Sequence, residues 1–144
     1  MTAELSTLVM TRRFEASPEA VFDAWTDPEI AKRWLFAGPL SQAHETRMDL
    51  RVGGKWSVMD RRGGVDYTAL GEYVEIDRPH RLVFTFGMPQ FSPEFCTVTV
   101  AIQADGDGAV MTMSQDRLPP DEVKPSEGGW ALMFAGLGHI LADG

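Results

Sequence analysis

The sequence predicts an α+β fold: about seven antiparallel strands in a meander, two short helices after the first strand, and one long closing helix. Three observations carry this. Period-two stretches separated by Gly-Gly and Asp-Gly turns fill the middle of the chain. Ser17-Pro18 and Asp27-Pro28 follow the first strand in quick succession, each a capping residue before proline. From about Pro125 to Ala142, large apolar side chains recur at helical spacing.

Taken in order, Leu5 to Phe14 is rich in Thr, Val and Met and reads as the first strand. After Ser17-Pro18, Val21, Phe22 and Trp25 share one helical face, and after Asp27-Pro28 so do Ile30, Ala31 and Trp34. The second proline divides this stretch into two helices. His44, Thr46, Met48, Leu50 and Val52 then alternate with Glu45, Arg47, Asp49 and Arg51. This predicts a strand to Val52, with Met48 and Leu50 on a drier face than Arg47 and Asp49. Gly53-Gly54 turns it into Lys55 to Asp60, and Gly63-Gly64 turns that into Tyr67 to Ile76. Arg78-Pro79 breaks the chain before Arg81 to Phe86, where Leu82, Phe84 and Phe86 share a side. The last two strands, Thr97 to Ala104 and Ala109 to Gln115, flank Asp105-Gly106-Asp107-Gly108.

The closing helix carries Trp130, Met133, Phe134, Leu137, Ile140 and Leu141 on one side and small residues on the other. It has no Asp, Glu, Lys or Arg from Gly128 to Ala142. Such a helix is expected to be buried nearly all round, with Trp130 and Trp56 both in the core. Gly136 and Gly138 inside it point to close backbone approach or needed room.

The 144 residues and 15.9 kDa suit one domain spanning 1–144, with a core that needs neither disulfide nor structural metal. The net charge of −8 argues against nucleic acid and against an anionic membrane surface as partners. A single cysteine, Cys96, forms no intramolecular disulfide, and no Cys/His spacing suits zinc. Neither a secretory signal nor an apolar run of about 20 residues is seen, so the expected location is cytoplasmic.

His44, His80 and His139 are far apart and form no HxxxH or HExxH pattern, so no metal and no cofactor is expected. His80 belongs to a turn; His44 and His139 read first as satisfied structural histidines, second as polar groups of a cavity. Glu72 and Glu75 differ by an odd number of residues, which directs one of them inward. Cys96 lacks a basic neighbour and reads as a small buried hydrophobe. The Gly-Gly pairs are turns and not phosphate loops, and no GxSxG elbow is present.

Met48-Asp49-Leu50-Arg51-Val52-Gly53-Gly54-Lys55-Trp56 resembles the hairpin of the activator of heat-shock-protein-90 ATPase homologues. The stretch from Gly71 through Tyr73, Glu75, Ile76, Pro79, Leu82 and Phe84 to Thr85 is similar to a second motif of that family. Gly129-Trp130 matches the opening of its last helix. The resemblance runs from about Leu8 to Leu141 and implies the helix-grip fold of the START-like (SRPBCC) superfamily, a curved sheet gripping the last helix around an apolar cavity. Its implied wall comprises His44, Met48, Trp56, Val58, Tyr67 and Tyr73 from the first hairpins. Phe84, Phe86, Val98 and Val100 from the next strands and Trp130, Met133, Phe134 and Leu137 from the helix complete it.

The function expected is non-enzymatic binding of a small hydrophobic or amphipathic ligand in that cavity. Two alternatives stand behind it. One is a co-chaperone-like interaction, although the eukaryotic co-chaperones also carry a separate N-terminal domain. The other is a cyclase- or hydrolase-like enzyme using His44, Tyr67, Tyr73 or an inward Glu72 as acid or base. No catalytic residue is assigned. The uncharged side of the last helix, with Leu132, Ala135, Gly136 and His139, predicts a homodimer.

Overall fold

The computed structural model describes residues 4–37 and 41–143. Chain order is β1 (Ser6–Phe14), α1 (Pro18–Thr26), α2 (Pro28–Ala31), β2 (Ala43–Met48), β3 (Lys55–Arg62), β4 (Val65–Asp77), β5 (Arg81–Phe86), β6 (Cys96–Asp105), β7 (Gly108–Leu118) and α3 (Val123–Asp143). The seven strands form one sheet in the order β1-β7-β6-β5-β4-β3-β2. Every neighbouring pair is antiparallel. The expected α+β architecture is therefore present, with α3 packed on the inner face.

Local chemistry explains the boundaries. Ser17 Oγ accepts from the Ala20 N–H at 3.1 Å and Asp27 Oδ1 from the Glu29 N–H at 3.0 Å, so each proline-led helix has its cap. Gly63 and Gly64, at φ +58° and +77°, form the two-residue turn between β3 and β4, a conformation that favours glycine at both positions. At Gly71 a side chain is excluded: a Cβ there would lie 1.8 Å from the Thr85 carbonyl oxygen. The Trp56 indole spans this gap, donating to that oxygen at 3.0 Å.

The core lies between the sheet and the helices. Trp25 and Trp34 meet edge to face at 4.8 Å, and Trp25 also packs on Trp130 and Phe134. Trp56 and Trp130 are buried, as expected. Gln115, also buried, accepts from Trp130 Nε1 at 2.8 Å and donates to Cys96 Sγ at 3.3 Å.

Three sequence expectations are corrected. β2 ends at Met48 rather than Val52 because, just past the Asp49–Lys55 bond, the Arg51 N–H closes on the Asp49 carbonyl and the Gly54 N–H on that of Arg51, so the chain turns. Met48 is consequently half-buried, while Leu50 and Val52 are exposed. Glu72 and Glu75 both face outward, since an irregularity between Tyr73 and Glu75 inserts one residue and restores the same face. Glu72 pairs with Lys55, and Glu75 with Arg81 at 2.9 Å. Finally, α3 buries Trp130, Phe134 and Leu137 but leaves Leu132 78% exposed. From Gly128 to Ala142 its outer side is uncharged and uncovered in this chain. Gly138 is tight, an added Cβ lying 3.2 Å from an Arg12 guanidinium nitrogen, whereas Gly136 faces open space.

Candidate functional site

The inner face of β2, β3 and β4 is built in cross-strand rows. Met48 lies opposite Trp56, and Trp56 opposite Gly71. Thr46, Val58 and Ala69 form the next row, and His44, Asp60 and Tyr67 the one beyond. Of the fourteen expected wall residues, Trp56, Val58, Tyr73, Phe84, Val98, Val100, Trp130, Phe134 and Leu137 are buried. His44, Met48, Tyr67, Phe86 and Met133 are half-buried. Met48, Phe86 and Met133 pack against the buried core, but the fourteen do not surround one open chamber.

The pocket in this region has a volume of about 10 Å³, room for one water at most. Met48, Trp56, Tyr73 and Phe84 line it, together with Trp25, Leu35 and Leu82. Burial pushes the Tyr73 phenol above its usual pKa, with nearby Asp49 adding to the effect.

The groove is filled by a side chain that the sequence reading did not single out. Phe36 follows α2 and inserts between sheet and α3. Its ring stacks on Trp56 at 6.2 Å and 6°, and packs on Phe86 at 5.1 Å and Trp130 at 5.6 Å. Its N–H points to Met133 Sδ at 3.0 Å. Phe36 holds φ +52°, a left-handed conformation that is costly for a bulky L-residue. The available signal was the apolar run Leu35-Phe36-Ala37 beyond the end of the second helix.

The polar candidates separate clearly. His44 Nε2 lies 3.2 Å from the Leu35 carbonyl, to which it donates, and Nδ1 lies 3.1 Å from Thr46 Oγ1, so both ring nitrogens are engaged. His139 is exposed on α3, and His80 is exposed with Nδ1 3.3 Å from the Ile102 carbonyl. Glu72 lies outside the groove and is corrected as an interior acid or base. Burial pushes the Cys96 thiol up, consistent with a packed side chain whose Sγ lies 3.5 Å from the Phe86 carbonyl. Among the described residues no three His, Cys, Asp or Glu gather into a metal-binding group.

The family model for the Activator of Hsp90 ATPase homolog 1-like protein matches residues 15–142. The chain belongs to this family. Solved structures agree in fold. A protein of Chromobacterium violaceum, 22% identical, superposes with a TM-score of 0.83 over 94% of this chain and 96% of its own. One from Rhizobium leguminosarum, also 22% identical, gives 0.84 over 99% and 98%. An HSP90 activator from Plasmodium falciparum, 24% identical, gives 0.75 over 94% and 96%. No curated protein shows a significant match. Among the described residues no helix is long and apolar enough to cross a membrane.

Proposed function

We propose that the protein binds a small apolar or amphipathic molecule in the groove between the sheet and α3. The observation that carries this reading is Phe36. Its ring occupies the groove as a ligand would, between Trp56, Phe86 and Trp130, at the expense of a left-handed backbone. Met48 and Met133 on the groove walls adapt readily to a changed occupant. Swinging Phe36 out relieves the backbone and frees an aromatic-lined space, where apolar burial supplies affinity at about 25 cal/mol per Å² before binding costs. Native mass spectrometry against lipids, aromatic polyketides and flavonoids, with wild type and Phe36→Ala, tests this. Retained ligand, stronger in the variant, is expected; no hit with either protein sinks the reading.

A second reading concerns the outer side of α3. Leu132, at 78% exposure in a segment without charge, favours a contact with a second copy of the chain. Light scattering at micromolar concentration decides it: about twice 15.9 kDa is expected, and the single-chain mass refutes it. The co-chaperone alternative draws on the family description alone and is tested by chaperone ATPase turnover with and without the protein.

A further inference from the structure

Along β3, Trp56, Val58 and Asp60 face inward, so a carboxylate stands where the alternation calls for an apolar side chain. Asp60 is 4% exposed, between His44 on β2 and Tyr67 on β4. Its Oδ2 forms an ion pair with Arg62, 2.9 Å from Nε. Its Oδ1 is buried and accepts no hydrogen bond among the described residues. Folds ordinarily avoid such an orphan acceptor, and its presence calls for a partner.

The neighbouring groups are already engaged. Both ring nitrogens of His44 are taken by Leu35 and Thr46. The Arg62 guanidinium lies over the Tyr67 ring at 4.3 Å, and that ring stacks on Phe91 at 5.9 Å. We propose that Asp60 Oδ1 is the polar anchor of the bound molecule, accepting an N–H or O–H from its head while its apolar end displaces Phe36. This rests on the ligand-binding reading and narrows it to a ligand class.

The geometry sets the length. Trp56, on which Phe36 stacks, lies four residues from Asp60 on the same face of β3, about 13 Å at roughly 3.3 Å per residue. The floor between them is Val58 and Ala69, both buried and neither bulky. One short segment covers both ends: Phe36 fills the aromatic end, and the Leu35 carbonyl is held by His44 at the polar end. The ligand is therefore an elongated amphipath with a hydroxyl or ammonium head. A carboxylate head is disfavoured, because it would meet Asp60 in a water-poor site of a chain carrying −8.

Calorimetric titration of the full chain with 6-phenylhexylamine, 6-phenylhexan-1-ol and 6-phenylhexanoate tests the anchor. In wild type, the amine and alcohol should bind at least tenfold more tightly than the acid. Asp60→Asn, nearly isosteric, should reduce the amine's advantage over the acid by tenfold or more. If that variant does not fold, the head-group order in wild type alone decides. Equal binding of the three probes, or a preference that Asp60→Asn leaves unchanged, overturns the anchor and leaves the ligand-binding reading standing. No binding of any probe to wild type or Phe36→Ala overturns both.

Discussion

Replacing Phe36 with alanine should weaken the fold and strengthen ligand binding, a pairing that an ordinary wall residue would not give. Half-burial of a phenylalanine contributes about 1.5 kcal/mol, on the scale of up to about 3 for full burial. Packing against three aromatic rings adds about 1 kcal/mol. Leaving the left-handed conformation returns about 1 kcal/mol, so withdrawing the ring costs a net of roughly 1.5 kcal/mol. The open form is then about one molecule in fourteen, and apparent affinity is reduced by that fraction. Phe36→Ala removes this penalty and should bind an apolar probe such as 6-phenylhexan-1-ol about tenfold more tightly by calorimetry. Phe36→Gly should bind similarly but unfold at higher denaturant than Phe36→Ala, by about 1 kcal/mol, because glycine adopts φ +52° without strain. Unchanged or weakened binding in both variants would refute the plug, and a glycine variant less stable than alanine would refute the strain.

Further outcomes follow from the geometry. Gly71→Ala should lower stability by about 3 kcal/mol in urea unfolding, since its Cβ meets the Thr85 carbonyl and the Trp56 indole; a loss under about 1 would contradict that clash. Arg78 holds the Asp23 carboxyl below its usual pKa through two 2.8 Å hydrogen bonds, with burial partly opposing. The resulting stabilisation is present above the ordinary carboxylate pKa and is lost as pH falls through the lowered one. Asp23→Asn should therefore be less stable than wild type near neutrality, by under about 1 kcal/mol for so exposed a pair, and the gap should close in acid. Cys96, its thiol pushed up by burial, should react with a thiol reagent at neutral pH much more slowly than the denatured chain; equal rates would place it at the surface.

The fold was legible where local chemistry agreed with tertiary packing. Both Pro-led helices, the Gly63-Gly64 hairpin and the buried stripe of α3 follow from residue type and spacing. Period-two reasoning erred where the backbone departs from a flat strand. The turn after Met48 exposes Leu50 and Val52, and the inserted residue near Val74 returns Glu75 to the outer face. The absence of charge from Gly128 to Ala142 accompanies burial on one side of α3 only. Nothing local fixes which apolar side chains a single chain covers, hence exposed Leu132.

The site was only partly legible. Trp56 and Phe84 could be assigned inward from alternation, but Phe36 enters the groove from a turn whose conformation carries no periodic signal. Asp60 was readable in principle, two residues beyond Val58 on the inner face. Its burial and its empty oxygen depend on neighbours brought together by the sheet.

The groove itself is tested most directly by the four indole N–H signals in a nitrogen–proton correlation spectrum during titration with 6-phenylhexan-1-ol. Trp56 and Trp130, which flank Phe36, should shift most, while Trp34, held to the Ala24 carbonyl at 2.9 Å and outside the Phe36 contacts, should shift least. Saturable shifts in that order support a ligand replacing Phe36. No shift, or a response led by Trp34, would contradict it.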